Sequence, residues 1–277
     1  MTGGDLSSDA GLPLFKEFLF KIGAGKFISR IFKTNATAGG RIHKDDANLM
    51  QVIYQISSAC FQDDCADELT NDHVMTAVLE KDVLASQPTL SRFFNRMDGN
   101  TLDQLNQIFR ELRKVIYSIK KPEFMLFDID STLLDTYGSQ EGEGLNYHYQ
   151  THGYHPLLCY DGLTGDLLKA ELRDGTMYCS KEADTFMKSL LDEFICDFPD
   201  IPLYLRGDSG FASPELYEVL EEKDFRYAIR LKMNAKLCEL AEEKTGGYTV
   251  QRNSTRWIMP SCMVSLCTRQ ARGAIHA

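Results

Sequence analysis

The sequence lacks the patterns that mark membrane, secreted and zinc-binding proteins. No run of about 18 apolar residues occurs along the chain, and the N-terminus has no basic segment followed by an apolar one. The eight cysteines include no C-x-x-C pair, which is the usual signature of a zinc ribbon or a thioredoxin-type site. These absences predict a cytoplasmic protein with no membrane association and with reduced thiols.

An overall excess of positive charge is also missing, since the chain carries a net charge of -10. This value argues against a protein that coats nucleic acid, because phosphate neutralisation needs clustered Lys and Arg. The charge is distributed unevenly, however. Seven Lys or Arg residues and a single acid, Glu17, lie between Lys16 and Lys44, and a second basic stretch runs from Lys223 to Lys236. Local patches could therefore bind DNA in an acidic protein.

The first 121 residues have the spacing of helices and almost no strand pattern. Apolar residues recur every three or four positions in FKEFLFKIG, NLMQVIYQISSACF and LDQLNQIFRELRKVIYSIK. Thr101 is predicted to cap the start of the last of these helices. Pro122 then interrupts the helical spacing and a β-rich run follows, so we place a domain boundary near Lys121.

Residues 122–243 alternate strand and helix patterns in a definite order. The strand candidates FMLFDID, HPLLCYD and LLKAELRDG come first. A helix across SKEADTFMKSLLDEFI, the strand PLYLRGDSG, a helix across SPELYEVLEEK and the strand FRYAIRLKM follow. The segment from Thr136 to Gly153 is predicted to be a loop. This order is ribonuclease-H-like and predicts an α/β fold, a mixed sheet with flanking helices, here partial and preceded by the all-helical region.

Two aspartates lie at the predicted ends of strands that this topology makes neighbours. Asp130 ends the first strand and Asp208 ends the fourth. Two carboxylates at adjacent strand ends are costly to hold unless a cation compensates them, and a pair of divalent metals is the usual solution. Oxygen ligands suit Mg²⁺ or Mn²⁺. The pattern predicts a two-metal site that cuts or joins a phosphodiester.

The chain resembles the group-1 DDE transposases of bacterial insertion sequences. The resemblance rests on FDIDST, GYHPLL, AELRDG, LRGDSGF and YAIRLKMNAKL, with QDDCADELTNDHVM and SQPTLSRFFNR before them. It implies that Asp130 and Asp208 are the first two catalytic, metal-binding acids. It also implies metal-dependent cleavage of transposon ends, strand transfer into target DNA, and a homodimer on double-stranded DNA with terminal inverted repeats. The third acid is unassigned, because Glu239, Glu242 and Glu243 follow Asp208 too soon.

Two other functions fit parts of the sequence. FDIDSTLLD also matches the first motif of haloacid-dehalogenase-like phosphatases, in which Asp128 would be the nucleophile and Asp130 the general acid. That interpretation needs a late acidic pair, but Ala212 occupies the place of its second acid and GYHPLL and AELRDG stay unexplained. In the transposase interpretation, Asp128 supports the site from the same strand face. The other alternative is a DNA-binding remnant without catalysis.

Several further polar residues have both a functional and a structural interpretation. Arg173 is a possible supporting residue, either as a phosphate contact or as a member of a surface ion pair. His148, His152 and His155 lie within eight residues, but no cysteine is near them and hydrogen-bonded roles are favoured over a zinc site. Ser209 lacks the G-x-S-x-G order of a nucleophile turn.

Residues 244–277 have an abrupt change in composition. They contain no Asp or Glu, although the chain has 40 acids, and they hold the only Trp. We expect either a frameshifted tail in a truncated, inactive copy or a natural disordered tail. Starting one base before the codon of Trp257, permitted codons read VDYAVVYGEFMYQAGSWSYPR, which regains acids and strand-like alternation.

Sequencing the gene tests the frameshift. We expect the shifted frame to stay open through this stretch and to encode the missing glutamate downstream. A stop codon in the shifted frame within residues 244–277 would exclude the idea. Restoring the frame should give a longer protein that nicks transposon-end DNA with Mg²⁺, whereas the present chain should bind that DNA without cutting it.

Overall fold

The computed structural model describes residues 9–36, 40–62, 64–232 and 235–237. The chain divides into two compact units, Met1–Lys121 and Pro122–Ala277. The tail from 244 to 277 and the three late glutamates Glu239, Glu242 and Glu243 lie outside the described residues. None of the described helices is both long enough and apolar enough to cross a membrane.

The first unit is helical, as predicted, and its described residues contain no strand. Its elements are α1 (Leu12–Lys21), α2 (Ala24–Ile31), α3 (Asp45–Ser57), α4 (Cys65–Glu68), a 3₁₀ turn (Leu69–Asn71), α5 (His73–Leu79), α6 (Gln87–Phe94) and α7 (Gly99–Ile119). Their apolar faces meet in small clusters, one of which contains the buried side chains Ile28, Phe32, Leu49, Phe93 and Ile108. Burial of these faces is the main stabilising contribution to such short helices.

The start of α7 differs from the prediction by one turn. Asp98, not Thr101, is the N-cap: the Thr101 N–H donates to Asp98 Oδ1 at 3.0 Å, and the Asp98 N–H donates to Thr101 Oγ1 at 2.7 Å. This is a capping box with Asp at the cap and Thr three residues later. The usual capping-box pattern has Ser or Thr at the N-cap and Glu or Gln three residues later. Thr101 and Gln104 fit that pattern, so the sequence predicted the cap at Thr101.

A buried carboxylate, Asp45, ties the start of α3 to the segment before it and to the turn after α6. Arg41 Nη1 donates to Asp45 Oδ1 at 2.5 Å, the Thr34 N–H and hydroxyl donate to Asp45 Oδ2 at 3.0 Å each, and Arg96 Nη2 lies 3.4 Å from Oδ1. Burial by itself raises the pKa of Asp45, but the hydrogen bonds from Arg41 and Thr34 outweigh it and lower the pKa to about 2.

We expect Asp45→Asn to lower the free energy of unfolding by about 2 kcal/mol at pH 7, the equivalent of the pKa shift. The folded-state pKa lies below the ordinary value of 3.8, so this stabilisation is present above about pH 4 and is lost as the pH falls toward about 2. Urea unfolding of the variant and the wild type at several pH values measures the difference, with the exposed Asp103→Asn as control. A difference that does not change with pH would contradict the expectation.

The second unit is built on a five-stranded mixed sheet. Its described elements are β1 (Met125–Ser131), β2 (Leu134–Asp135), β3 (Gly144–Asn146), β4 (Thr151–Tyr154), β5 (Leu157–Asp161), β6 (Leu167–Glu171), α8 (Ala183–Asp197), β7 (Leu203–Gly207), a 3₁₀ turn (Ser209–Phe211), α9 (Pro214–Glu222) and β8 (Arg226–Ile229). The strand order is β6-β5-β1-β7-β8, with β5 antiparallel to both β1 and β6 and with β1, β7 and β8 parallel. The predicted ribonuclease-H-like sheet with flanking helices is confirmed.

Alternation along β1 decides which face of this sheet is buried. Met125, Phe127 and Ile129 are buried, and the Phe127 ring meets Phe194 of α8 edge-on at 4.9 Å between centroids. The intervening residues, Asp128 among them, point to the opposite face because successive strand side chains alternate. Packing of the apolar face on α8 therefore fixes the register that presents the aspartates.

The predicted loop from Thr136 to Gly153 is partly wrong, because it contains strands. β2, β4 and β3 form a second, three-stranded antiparallel sheet in the order β2-β4-β3. Backbones approach closely there: a Cβ on Gly153 would lie 2.3 Å from the Leu134 carbonyl oxygen, and one on Gly175 would lie 2.3 Å from the oxygens of Gly144 and Gly153. Strands of only two to four residues are too short to show a hydrophobic period, so the sequence pattern misses them.

Candidate functional site

Asp130 and Asp208 follow the last paired residues of two neighbouring parallel strands. The register of β1 with β7 ends at Ile129 opposite Gly207. Asp130 is the next residue of β1, and Asp208 directly follows β7. Neighbouring strands lie about 4.8 Å apart. Both aspartates are exposed, so the structure brings the two predicted acids to the same edge of the sheet.

Backbone amides orient each of the two carboxylates. The Ser131 N–H donates to Asp130 Oδ1 at 2.8 Å, and the Gly210 N–H donates to Asp208 Oδ1 at 2.7 Å. The Oδ2 atom of each aspartate has no hydrogen-bond partner among the described residues. A hard divalent cation prefers anionic oxygens of this kind, so the pair fits Mg²⁺ or Mn²⁺ in ligand chemistry.

Asp128 lies two residues before Asp130 on the same face of β1, and its carboxylate is bound by Arg206. The two residues are partners in the β1–β7 register, Arg206 Nε donates to Asp128 Oδ1 at 3.0 Å, and Nη2 donates to Oδ2. The hydrogen bond to Asp128 raises the pKa of Arg206. Arg206 was not among the predicted site residues, although its place two positions before Asp208 puts it on the same strand face.

The phosphatase interpretation does not fit this geometry. A nucleophilic Asp128 would need a free carboxylate oxygen, but both of its oxygens accept from Arg206. The sheet is also of another kind, because β5 runs antiparallel beside β1, whereas a doubly wound nucleotide-type sheet is mostly parallel.

Arg173 is buried, which contradicts both predicted surface roles. Its Nε donates to the His155 carbonyl at 3.1 Å, and its Nη1 donates to the carbonyls of Lys181 at 2.5 Å and Tyr178 at 3.4 Å. The side chain is 4% exposed, and Nη2 is buried with no hydrogen-bond partner among the described atoms. A guanidinium in this position cannot reach a DNA phosphate or a surface acid, but it joins three points of the backbone.

The segment that Arg173 holds lies against the turn after Asp208. A Cβ built on Gly210 would meet Cys179 Cβ at 3.1 Å, Cys179 Sγ at 3.2 Å and Asp208 Oδ1 at 3.0 Å. A side chain at position 210 would therefore crowd both Cys179 and the Asp208 carboxylate. No sequence pattern pointed to Cys179 as a site residue.

The three histidines have separate environments. His155 is buried and its Nδ1 lies 2.8 Å from the Met177 carbonyl oxygen, which confirms a hydrogen-bonded role. His152 Nδ1 is 3.9 Å from Glu143 Oε1, and the ring of the exposed His148 meets Tyr149 edge-on. Among the described residues, no group of three or more His, Cys, Asp or Glu side chains could hold a metal ion.

Comparison with known proteins identifies the family. The family described as transposase DDE domain group 1 matches residues 1–267. The chain belongs to this family. No curated protein matches it significantly. The match spans the motifs around Asp130 and Asp208, and it agrees with the resemblance drawn from the sequence.

Solved structures of transposases are distant neighbours of this group-1 DDE chain. The catalytic domain of Mos1 mariner transposase has 9% identity and a TM-score of 0.29, covering 64% of this chain and 83% of its own. A piggyBac transposase synaptic complex with hairpin DNA has 14% identity and a TM-score of 0.42, covering 90% and 56%. A Mos1 strand transfer complex has 10% identity and a TM-score of 0.29, covering 91% and 87%.

Proposed function

We propose that this chain is a transposase subunit whose Asp130 and Asp208 hold divalent metal for cutting and joining transposon-end DNA. The observation that carries the proposal is the parallel pairing of β1 with β7, which ends one residue before each aspartate. Membership of the DDE transposase family supports the reaction class. Mg²⁺ or Mn²⁺ in a two-metal arrangement would supply the Lewis acid that activates the attacking oxygen and stabilises the leaving oxygen.

The protein's own contribution is to fix two carboxylates and to limit the negative charge around them. Backbone amides of Ser131 and Gly210 hold one oxygen of each aspartate, and the other oxygen is left for the cation. Arg206 neutralises Asp128, so the third carboxylate on this face adds no net repulsion. Asp128 thus supports the site through charge and strand geometry, not as a reacting group.

Metal binding by the full chain tests this assignment directly. We expect Asp130→Asn and Asp208→Asn each to weaken Mn²⁺ binding, followed by electron paramagnetic resonance, by at least about tenfold. Each substitution removes an anionic ligand without changing the shape of the side chain. Asp166→Asn, in the turn between β5 and β6, is the control and should bind as the wild type does. Equal Mn²⁺ affinity in the wild type and the three variants would show that Asp130 and Asp208 are not the metal site.

Cleavage is a separate step of the proposal. The third carboxylate has no assigned residue, and two aspartates hold metals too loosely for efficient cutting. We therefore expect the chain alone to bind Mn²⁺ and DNA without nicking the DNA. The DNA-binding remnant stays the second candidate. A DNA-binding remnant would have no specific Mn²⁺ site, so the Mn²⁺ titration distinguishes it from the proposed transposase subunit.

The helical unit is proposed to bind the terminal inverted repeats through only part of its basic stretch. Lys16 pairs with Glu80, Lys21 with Glu17, Arg30 with Glu111 and Arg41 with Asp45. The exposed side chains of Lys26, Lys33 and Lys44 have no acidic partner among the described residues. Unpaired lysines are the ones that release counterions from DNA without first breaking an ion pair.

Salt dependence of DNA binding measures this contribution. The triple variant Lys26→Ala, Lys33→Ala, Lys44→Ala should reduce the slope of log K against log salt by up to about 3, one for each phosphate that a lysine no longer neutralises. The probes are a duplex from the inverted repeat beside the gene and a scrambled duplex. The matched control replaces the paired cations Lys16, Lys21 and Arg30 by Ala and should change the slope less. An unchanged slope in the first variant would contradict the electrostatic basis.

A further inference from the structure

The most unusual polar group outside the two aspartates is the buried guanidinium of Arg173. An arginine that is 4% exposed and has no carboxylate partner among its described hydrogen bonds is costly, and burial lowers its pKa. The residue still makes three hydrogen bonds to carbonyl oxygens. Buried hydrogen bonds of this kind make the backbone that they hold rigid.

Arg173 closes the segment 173–181 into a fixed loop. Its donors reach the His155 carbonyl, between β4 and β5, on one side and the carbonyls of Tyr178 and Lys181 on the other. The His155 ring completes the closure by bonding the Met177 carbonyl at 2.8 Å. Three carbonyl oxygens of this loop and the carbonyl of His155 are thereby bonded by two side chains. These bonds set the position of Cys179, which lies between Tyr178 and Lys181.

Cys179 in turn meets the turn that carries Asp208. The space that a side chain on Gly210 would occupy is bounded by Cys179 Cβ and Sγ and by Asp208 Oδ1. The Gly210 N–H is the donor that orients this same oxygen, at 2.7 Å. Movement of Cys179 would therefore displace Gly210 and rotate the Asp208 carboxylate.

We propose that Arg173 and Cys179 are positioning residues for the Asp208 carboxylate, acting through Gly210. The inference rests on the proposed function, since it gives these residues a role in metal affinity. It also links AELRDG and LRGDSGF, which are distant along the chain: one segment supplies the arginine and the other supplies the turn that the arginine's loop supports. Substitution of a residue that orients a metal ligand commonly weakens metal affinity about 10- to 100-fold.

Variants of Arg173 test the first link. We expect Arg173→Gln to weaken Mn²⁺ binding by about tenfold and to accelerate hydrogen exchange of the Gly210 amide, with a smaller effect for Arg173→Lys, which keeps a donor. The matched control is Lys169→Met, which removes bonds from Lys169 Nζ to Phe186 O and Ser189 Oγ elsewhere in the unit. It should lower thermal stability without changing the exchange of Gly210. If Arg173→Gln lowers stability but leaves Gly210 exchange unchanged, the positioning role is wrong.

A pair of compensating substitutions tests the contact between Cys179 and Gly210. This test stays informative if the Arg173 variants fail to fold. Gly210→Ala places a methyl group against both Cys179 and Asp208, and Cys179→Gly removes the side chain that Gly210 faces. We expect each single change to weaken Mn²⁺ binding, and the double variant to lie closer to the wild type than either single. Additive effects of the two changes would overturn the proposed contact.

Mn²⁺ binding and Gly210 hydrogen exchange distinguish failure of the proposed metal site from failure of the positioning role. Wild-type protein that binds no Mn²⁺ would refute the proposed function, and Gly210 exchange in the same variants would still report whether Arg173 and Cys179 hold the turn. Wild-type protein that binds Mn²⁺ through Asp130 and Asp208, with no response to changes at Arg173 or Cys179, would refute only the positioning role.

Discussion

The parallel pairing of β1 with β7 is the constraint on which the site depends. These strands are far apart in the chain, and residues 157–197 between them form β5, β6 and α8. Only the correct register brings Asp130 beside Asp208, because a slip by one residue would turn one of the two side chains to the buried face. That register is secured on the other face, where Phe127 and its neighbours pack on α8. The chemistry of the exposed face thus rests on apolar packing behind it.

The elements with a clear hydrophobic period could be predicted from the sequence. β1, β5, β7 and α8 each carry enough apolar residues to show alternation or helical spacing, and their order predicted the sheet. Asp130 and Asp208 could be chosen because each ends such a strand. The small sheet β2-β4-β3 could not be predicted, since it is held by close backbone contacts at Gly153 and Gly175 that leave no periodic pattern.

Long-range polar contacts were the other part that the sequence did not reveal. Arg206 could have been assigned to the site face from alternation alone, but its bond to Asp128 depends on which strand lies next to β1. Arg173 was expected at the surface because arginine usually lies there. Its burial depends on the carbonyls of His155, Tyr178 and Lys181, which come from two separate segments of the chain. No local sequence pattern encodes that arrangement.

The ion pair between Asp128 and Arg206 has a consequence for the order of folding and metal loading. With Asp128 neutralised, the exposed face holds two uncompensated carboxylates instead of three, and backbone amides of Ser131 and Gly210 already stabilise their charge. The electrostatic cost of assembling this edge without a cation is correspondingly small. The sheet can therefore form without a cation, and on the proposed assignment the ions would bind afterwards, unlike small zinc domains in which the metal drives folding. On that assignment, chelation would remove the ions and leave the fold intact.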